Sequence, residues 1–197
     1  MVTNPKDMPP QHYYSLDEYF ALEHAGDARF EYWDGDIFCM SGGTRAHGRI
    51  SSNVVIGLGR DVRGGPCTAF TADIAIWTPT IPPYRYPDAS VGCGELKFKN
   101  VKGVDALVNP VLIVEVLSPS TASHDLKAKF EAYRAIDSFR DYLLIAQDEP
   151  RVIHYSRQVD GEWTRRDVTD IEATLTIESI GCELRMRDLY EGVTFAV

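Results

Sequence analysis

The segment Val111-Leu112-Ile113-Val114-Glu115-Val116-Leu117 constrains this chain more than any other. It is apolar on both faces, which predicts a central strand covered on each side rather than one half open to water. Glu115 interrupts the run on the face of Val111, Ile113 and Leu117. Burying an ionised carboxylate alone costs several kcal/mol, so Glu115 must be protonated, paired with a cation, or bound to a metal ion. A structural ion pair with Lys or Arg and a functional site are both open on these residues.

A helix is expected after this strand, over about Ser123–Ile136. Its inward stripe is Leu126, Lys129, Phe130 and Tyr133, while Lys127 shares the outer face with Glu131 and Arg134. Lys129 thus falls on the core side. It is a partner for Glu115, a group that handles a nucleophilic water and phosphate charge, or a side chain that snorkels to solvent.

Upstream, Tyr86-Pro87-Asp88 opens another short strand, Asp88–Val91, with enough chain before Glu115 for a loop and a return to a neighbouring position. Asp88 alone reads as a turn residue capping the backbone. Beside Glu115 it would be different. Two carboxylates about 5 Å apart repel by roughly 3 kcal/mol at an effective dielectric of about 20. A divalent cation removes that repulsion, and hard oxygen donors suit Mg²⁺ or Mn²⁺.

The remaining pattern alternates strands with helices. Residues 1–12 read as a loose tail and 13–197 as a single domain, the usual outcome for 197 residues. Ser15-Leu16-Asp17-Glu18 is a capping box opening a helix that Gly26 would end. Phe30–Trp33 and Ile37–Met40 flank Asp34-Gly35-Asp36, a hairpin signal. A helix follows Thr44 to about Leu58, with His47, Ile50, Val54 and Leu58 on one side. Thr68–Thr78 alternates like one strand, with Asp73 on the face of Trp77, and a Pro-rich loop follows. Tyr142–Ala146, Val152–Ser156 and Trp163–Val168 are further strands. The fold class expected is α/β (α+β), a mixed sheet flanked by helices.

Composition bears on partners. The net charge is −9, whereas a domain that held nucleic acid by bulk electrostatics alone would be basic. DNA binding therefore needs a local site. Arg45, Arg49, Arg60, Arg63, Lys97, Lys99 and Lys102 are the candidates. The four cysteines, Cys39, Cys67, Cys93 and Cys182, contain no Cys-x-x-Cys pair and read as reduced thiols acting as small core hydrophobes. The N-terminal stretch has no apolar leader segment, and no run approaches the roughly 18 apolar residues that span a membrane, so a cytoplasmic protein is expected.

Taken together, several segments resemble the PD-(D/E)XK nuclease superfamily, and more closely a bacterial family of candidate restriction endonucleases long filed as a domain of unknown function. The carriers are Glu31-Tyr32-Trp33-Asp34-Gly35, Met40-Ser41-Gly42-Gly43-Thr44 through His47, Tyr86-Pro87-Asp88, Ile113 through Thr121, and Lys129 through Tyr133, over roughly residues 13–158. The combination is fairly specific, and any one piece alone would be weak. The resemblance implies a restriction-endonuclease-like core, Asp88 and Glu115 as metal ligands with the Val116 carbonyl, and Lys129 as the catalytic lysine. It also implies Glu31 as an additional acid. The superfamily pattern places a Lys two residues after the Glu, where this chain has Leu117. A lysine supplied from the following helix fits if that helix packs over the strand.

The other candidates have two readings each. Glu31 is a solvated hairpin residue or a site acid. His47 is a satisfied core histidine or an active-site neighbour, and Asp73 joins the acidic cluster or pairs with an Arg. Asn53 and Tyr133 support the site or merely pack. The resemblance implies a Mg²⁺-dependent DNA endonuclease (Mn²⁺ as substitute), expected as a homodimer. The alternatives are a non-catalytic interaction module on a nuclease scaffold, and a metal-dependent nuclease of RNA or branched nucleic acid.

Overall fold

The capping box predicted at Ser15 is formed. Glu18 Oε2 accepts from the Ser15 N–H at 2.7 Å, and Ser15 Oγ accepts from the Glu18 N–H at 3.3 Å. They open α1 (Leu16–Ala25). The computed structural model describes residues 12–25, 29–39, 43–117 and 125–195. The expected helix stop at Gly26, most of the N-terminal tail and the Ser118–Thr121 part of the family motif lie outside them. The described residues form two compact units, divided after Gly42.

In the first unit, β1 (Phe30–Trp33) and β2 (Asp36–Cys39) form the predicted hairpin, with Glu31 opposite Phe38. Asp34 and Gly35 take φ of 45° and 92°, the left-handed conformations that a two-residue hairpin turn demands. Glycine is needed there, because such a φ strains most side chains.

The second unit begins with α2 (Arg45–Asp61), capped by the Thr44 hydroxyl, which accepts from the His47 N–H at 3.1 Å. Next come β3 (Cys67–Thr71), β4 (Ala75–Trp77), β5 (Tyr84–Arg85), β6 (Ala89–Cys93), β7 (Phe98–Val101), β8 (Val104–Leu107) and β9 (Pro110–Leu117). A π-helical turn, Asp125–Lys129, leads into α3 (Phe130–Arg134). It is followed by β10 (Asp141–Ala146), β11 (Val152–Arg157), β12 (Trp163–Val168), β13 (Thr174–Ile177), β14 (Cys182–Arg185) and α4 (Met186–Leu189).

Six strands form the central sheet in the order β12-β11-β10-β9-β6-β3. Only β9 and β10 pair in parallel within it, and the segment carrying the π-turn and α3 makes their crossover. The run around Glu115 is thus central, as expected. One face packs under α2: Ile50, Val54 and Leu58 are fully buried against Val91, Leu112, Val114 and Leu143, together with Leu175, Leu184 and Met186 of the C-terminal elements. Each such side chain stabilises the fold by roughly 1.5–3 kcal/mol. The other face is aromatic, with Phe130, Tyr133, Phe139 and Tyr142 around Ile113 and Leu144.

Two expectations are corrected, and one hairpin lies outside them. Thr68–Thr78 is not one strand. The Ile74 N–H donates to the Thr71 carbonyl and the Asp73 N–H to the Thr71 hydroxyl, so the chain turns there. As a result β4 leaves for a second sheet, β5-β4-β8-β7. Within that sheet the β7–β8 hairpin was not anticipated. Its signal was Lys102-Gly103, both at positive φ, with the Asn100 side chain holding the loop. The cysteines are not all free core thiols. Cys67 and Cys93 are disulfide-bonded because the β3–β6 register sets them opposite one another, while Cys39 is exposed and only Cys182 is a buried thiol.

Candidate active site

Strand ends create the site. β6 begins at Ala89, paired with Val114, so Asp88 stands beside Glu115 where the ladder has run out. Val116 needs an acceptor for its N–H at that point. The Asp88 carboxylate supplies it, with Oδ2 accepting from Val116 N at 2.7 Å. Pro87, which has no N–H and a fixed φ, leads the chain into this position. The turn-cap reading of Asp88 is thus partly realised, on the backbone of the strand that carries Glu115.

Glu115 is 3% exposed and meets the crossover segment. Lys129 Nζ donates to Oε2 at 3.0 Å and the Tyr133 hydroxyl donates to Oε1 at 3.1 Å. Lys129 is equally buried, and Tyr133 lies one helical turn further on, so both reach the same carboxylate. The ion-pair alternative for Glu115 is therefore realised, and Lys129 does not snorkel. Lys127, Glu131 and Arg134 face solvent, as the pattern requires. The π-turn ends at Lys129, and single π-turns are frequent at functional sites.

On the opposite side of Asp88, α2 presents His47 and Ser51. His47 Nε2 lies 3.4 Å from Asp88 Oδ1, and Ser51 Oγ lies 3.5 Å from both Asp88 Oδ1 and His47 Nδ1. His47 is partly exposed and joins the acids rather than the core. Thr44, besides capping α2, hydrogen-bonds Gln147 just past β10, which fixes the helix start over this end of the sheet. Sequence reasoning missed Ser51 and Gln147. The available signal for Ser51 was its i+4 spacing from His47 on the face that meets Asp88.

Asp73 lies in the exposed turn between β3 and β4, where its carboxylate accepts from the Thr71 hydroxyl at 3.2 Å. Asn53 donates to the Leu189 and Glu191 carbonyls and so holds the C-terminal segment rather than the acids. Glu31 is buried on β1 of the first unit, which overturns its reading as a solvated hairpin residue.

Asp88 and Glu115 offer hard carboxylate oxygens at one strand end, which suits Mg²⁺, an ion that takes one or two carboxylates and keeps water or phosphate for its other positions. Among the described residues no group of three or more His, Cys, Asp or Glu side chains is arranged to hold a metal. The donor set therefore fits an ion completed by water and substrate, and does not fit an all-protein cage.

Comparison with known proteins agrees with this architecture. The Uma2 family, described as "Putative restriction endonuclease", matches residues 16–187. The chain is 31% identical over 183 residues to "Uncharacterized protein slr1290" of Synechocystis, covering 92% of this chain and 93% of that one. It is 34% identical over 146 residues to "Uncharacterized protein sll1609" of the same organism, covering 74% and 82%. The fold matches the crystal structure of a "putative nuclease belonging to DUF820" from Anabaena variabilis at a TM-score of 0.71. That match has 20% identity and covers 92% of this chain and 99% of the other.

Proposed function

The chain belongs to the Uma2 family of restriction-endonuclease-like proteins, and from that premise we propose that it is a Mg²⁺-dependent endonuclease hydrolysing phosphodiester bonds in DNA, with Mn²⁺ as a substitute ion. The observation that carries this reading is the convergence of Lys129 and Tyr133 on buried Glu115 while Asp88 is anchored beside it on Val116. Asp88, Glu115 and the Val116 carbonyl would hold the ion. When bound, Mg²⁺ acidifies an attacking water and neutralises charge developing on the phosphate. Lys129 would orient that water or steady the phosphate, and Tyr133 would keep Glu115 aimed. His47, partly exposed beside Asp88, would bind phosphate or water, and Glu31 would act as an additional acid. Residues 13–197 would work as one endonuclease-like domain.

The anionic total limits DNA binding to a local surface. The seven candidate cations all face solvent, but Arg49 pairs with Glu191 and Arg60 with Asp61 and Asp188. Affinity for DNA is accordingly modest and falls with salt. Among the described residues no helix is long and apolar enough to cross a membrane. The proposal includes a homodimer and a cytoplasmic location. The Cys67–Cys93 disulfide tests the latter, because reducing compartments keep thiols free.

Nicking of supercoiled plasmid tests the main reading. Cleavage should require Mg²⁺ or Mn²⁺ and vanish in Asp88→Ala, whereas normal cleavage by that variant rejects the assignment of Asp88. A parallel panel of RNA and branched DNA separates the substrate classes. The second reading, a non-catalytic interaction module, is favoured by the fully formed Glu115–Lys129 pair. It gains if millimolar Mg²⁺ leaves the melting temperature unchanged.

A further inference from the structure

We propose that the cavity beside Asp88 is a subsite for a nucleobase, taking the base next to the scissile phosphate out of its stack. The identity of that neighbour rests on the nuclease reading above. The cavity, about 390 Å³, is walled by Ser51, Ser52, Val55 and Ile56 of α2 and by Thr71 and Ala72 of the β3–β4 turn, with Asp88 in its lining. It is therefore continuous with the carboxylate that touches Val116 and neighbours Glu115.

Its chemistry selects the part of a nucleotide that fits. None of the lining residues is Lys or Arg, and the one charged group is an acid. A phosphate without a metal is repelled there, while a neutral base is not. Val55, Ile56 and Ala72 offer apolar surface to the flat face of a ring, and Ile56 is 67% exposed although it is a large aliphatic residue on a regular helix. Ser51, Ser52 and Thr71 add hydroxyls for the polar edge of the base. Ser52 Oγ already donates to the Gly48 carbonyl and Thr71 Oγ1 to Asp73, so both are held in place. Enzymes that work on a strand commonly read an extruded base by apolar contact on its faces and hydrogen bonds at its edge. A phosphate held at Asp88 through the metal ion leaves its own nucleoside within reach of this cavity.

The test uses amide chemical shifts of the full chain with saturating Mg²⁺, titrated separately with inorganic phosphate and with 2′-deoxyadenosine 5′-monophosphate. The nucleotide should move the Ser52, Ile56 and Ala72 amides saturably, whereas phosphate should move Val116 and leave those three still. Ala72→Trp fills the cavity and should weaken nucleotide binding about tenfold without changing phosphate binding. Ile56→Ala, at an exposed position, should weaken it about threefold and supplies the variant if Ala72→Trp does not fold. The proposal falls if the nucleotide leaves the three amides unmoved, or binds the filled cavity as tightly as the original. Loss of the phosphate response with the nucleotide response intact retires the metal reading and leaves the base pocket standing.

Discussion

Two buried acids on adjacent central strands have different surroundings. Glu115 on β9 faces the aromatic layer, and Asp141 begins β10, where its neighbour in register is Leu112. Both are under 5% exposed. Asp141 is closed on itself: His154 Nε2 sits 2.6 Å from Oδ1, and Ser179 hydrogen-bonds Oδ2. Those partners tie β10 to β11 and to the turn after β13, and among the described residues no further acid makes a group of three with Asp141 and His154. Glu115 is likewise met on both oxygens, yet Asp88 stands beside it with His47, Ser51 and a cavity beyond. Burial and pairing alone therefore do not mark a site. A second carboxylate at the same strand end and space for a substrate do.

Breaking each acid separates the two regions. Glu115→Gln should remove metal-dependent cleavage by about a thousandfold or more, since the lost charge acts where the transition state is stabilised. Asp141→Asn should leave the cleavage rate intact and instead lower stability by about 1–3 kcal/mol, because the amide keeps only one acceptor oxygen where the carboxylate offered one each to His154 and Ser179. Plasmid nicking beside denaturant melts reads both, and a cleavage loss in Asp141→Asn as deep as that in Glu115→Gln would erase the distinction.

Lys129→Met sharpens it further. Removing the cation leaves Glu115 buried and uncompensated, at a cost of about 3–5 kcal/mol. A divalent ion would then replace the missing charge, so Mg²⁺ should raise the melting temperature of this variant more than that of the unaltered chain. Equal shifts would mean that the ion does not reach Glu115.

The smallest effect concerns a third acid, Asp61 at the end of α2, which serves as a reference near the surface. The Arg60 guanidinium holds its carboxyl below the usual range, aided by the Cys182 thiol and the Glu183 N–H. A lowered carboxyl contributes stability above its unfolded pKa of about 3.9 and loses it as pH falls through the folded value. Asp61→Asn should flatten the acid limb of a stability–pH curve and leave cleavage unchanged. Burial, with the Asp61 contact, pushes the Cys182 thiol up to about 12, so it should resist alkylation in the folded chain.

Much of this arrangement could be read from local pattern. The capping box, the Asp-Gly hairpin turn, the buried run and the inward Lys129 all depend on short-range spacing, and each appears where that spacing puts it. What escaped reading depends on register between distant segments. The Cys67–Cys93 bond exists because β3 and β6 align those residues across a separation of 26. His47 meets Asp88 because Thr44 and Gln147 pin α2 over the end of β10. Asp73 shared an apparent strand with Ile76 until a hydroxyl two residues earlier turned the chain. Glu31 looked solvated because a hairpin of four-residue strands does not reveal which of its faces is covered.

In the proposed site one divalent ion is shared by Asp88 and Glu115. Crystals soaked in Mn²⁺ and measured at its absorption edge would locate it directly. The prediction is an anomalous peak within ligand distance of both Asp88 and Glu115, with Lys129 Nζ displaced from Oε2. No peak there at millimolar Mn²⁺, with the Glu115–Lys129 pair unchanged, would contradict it.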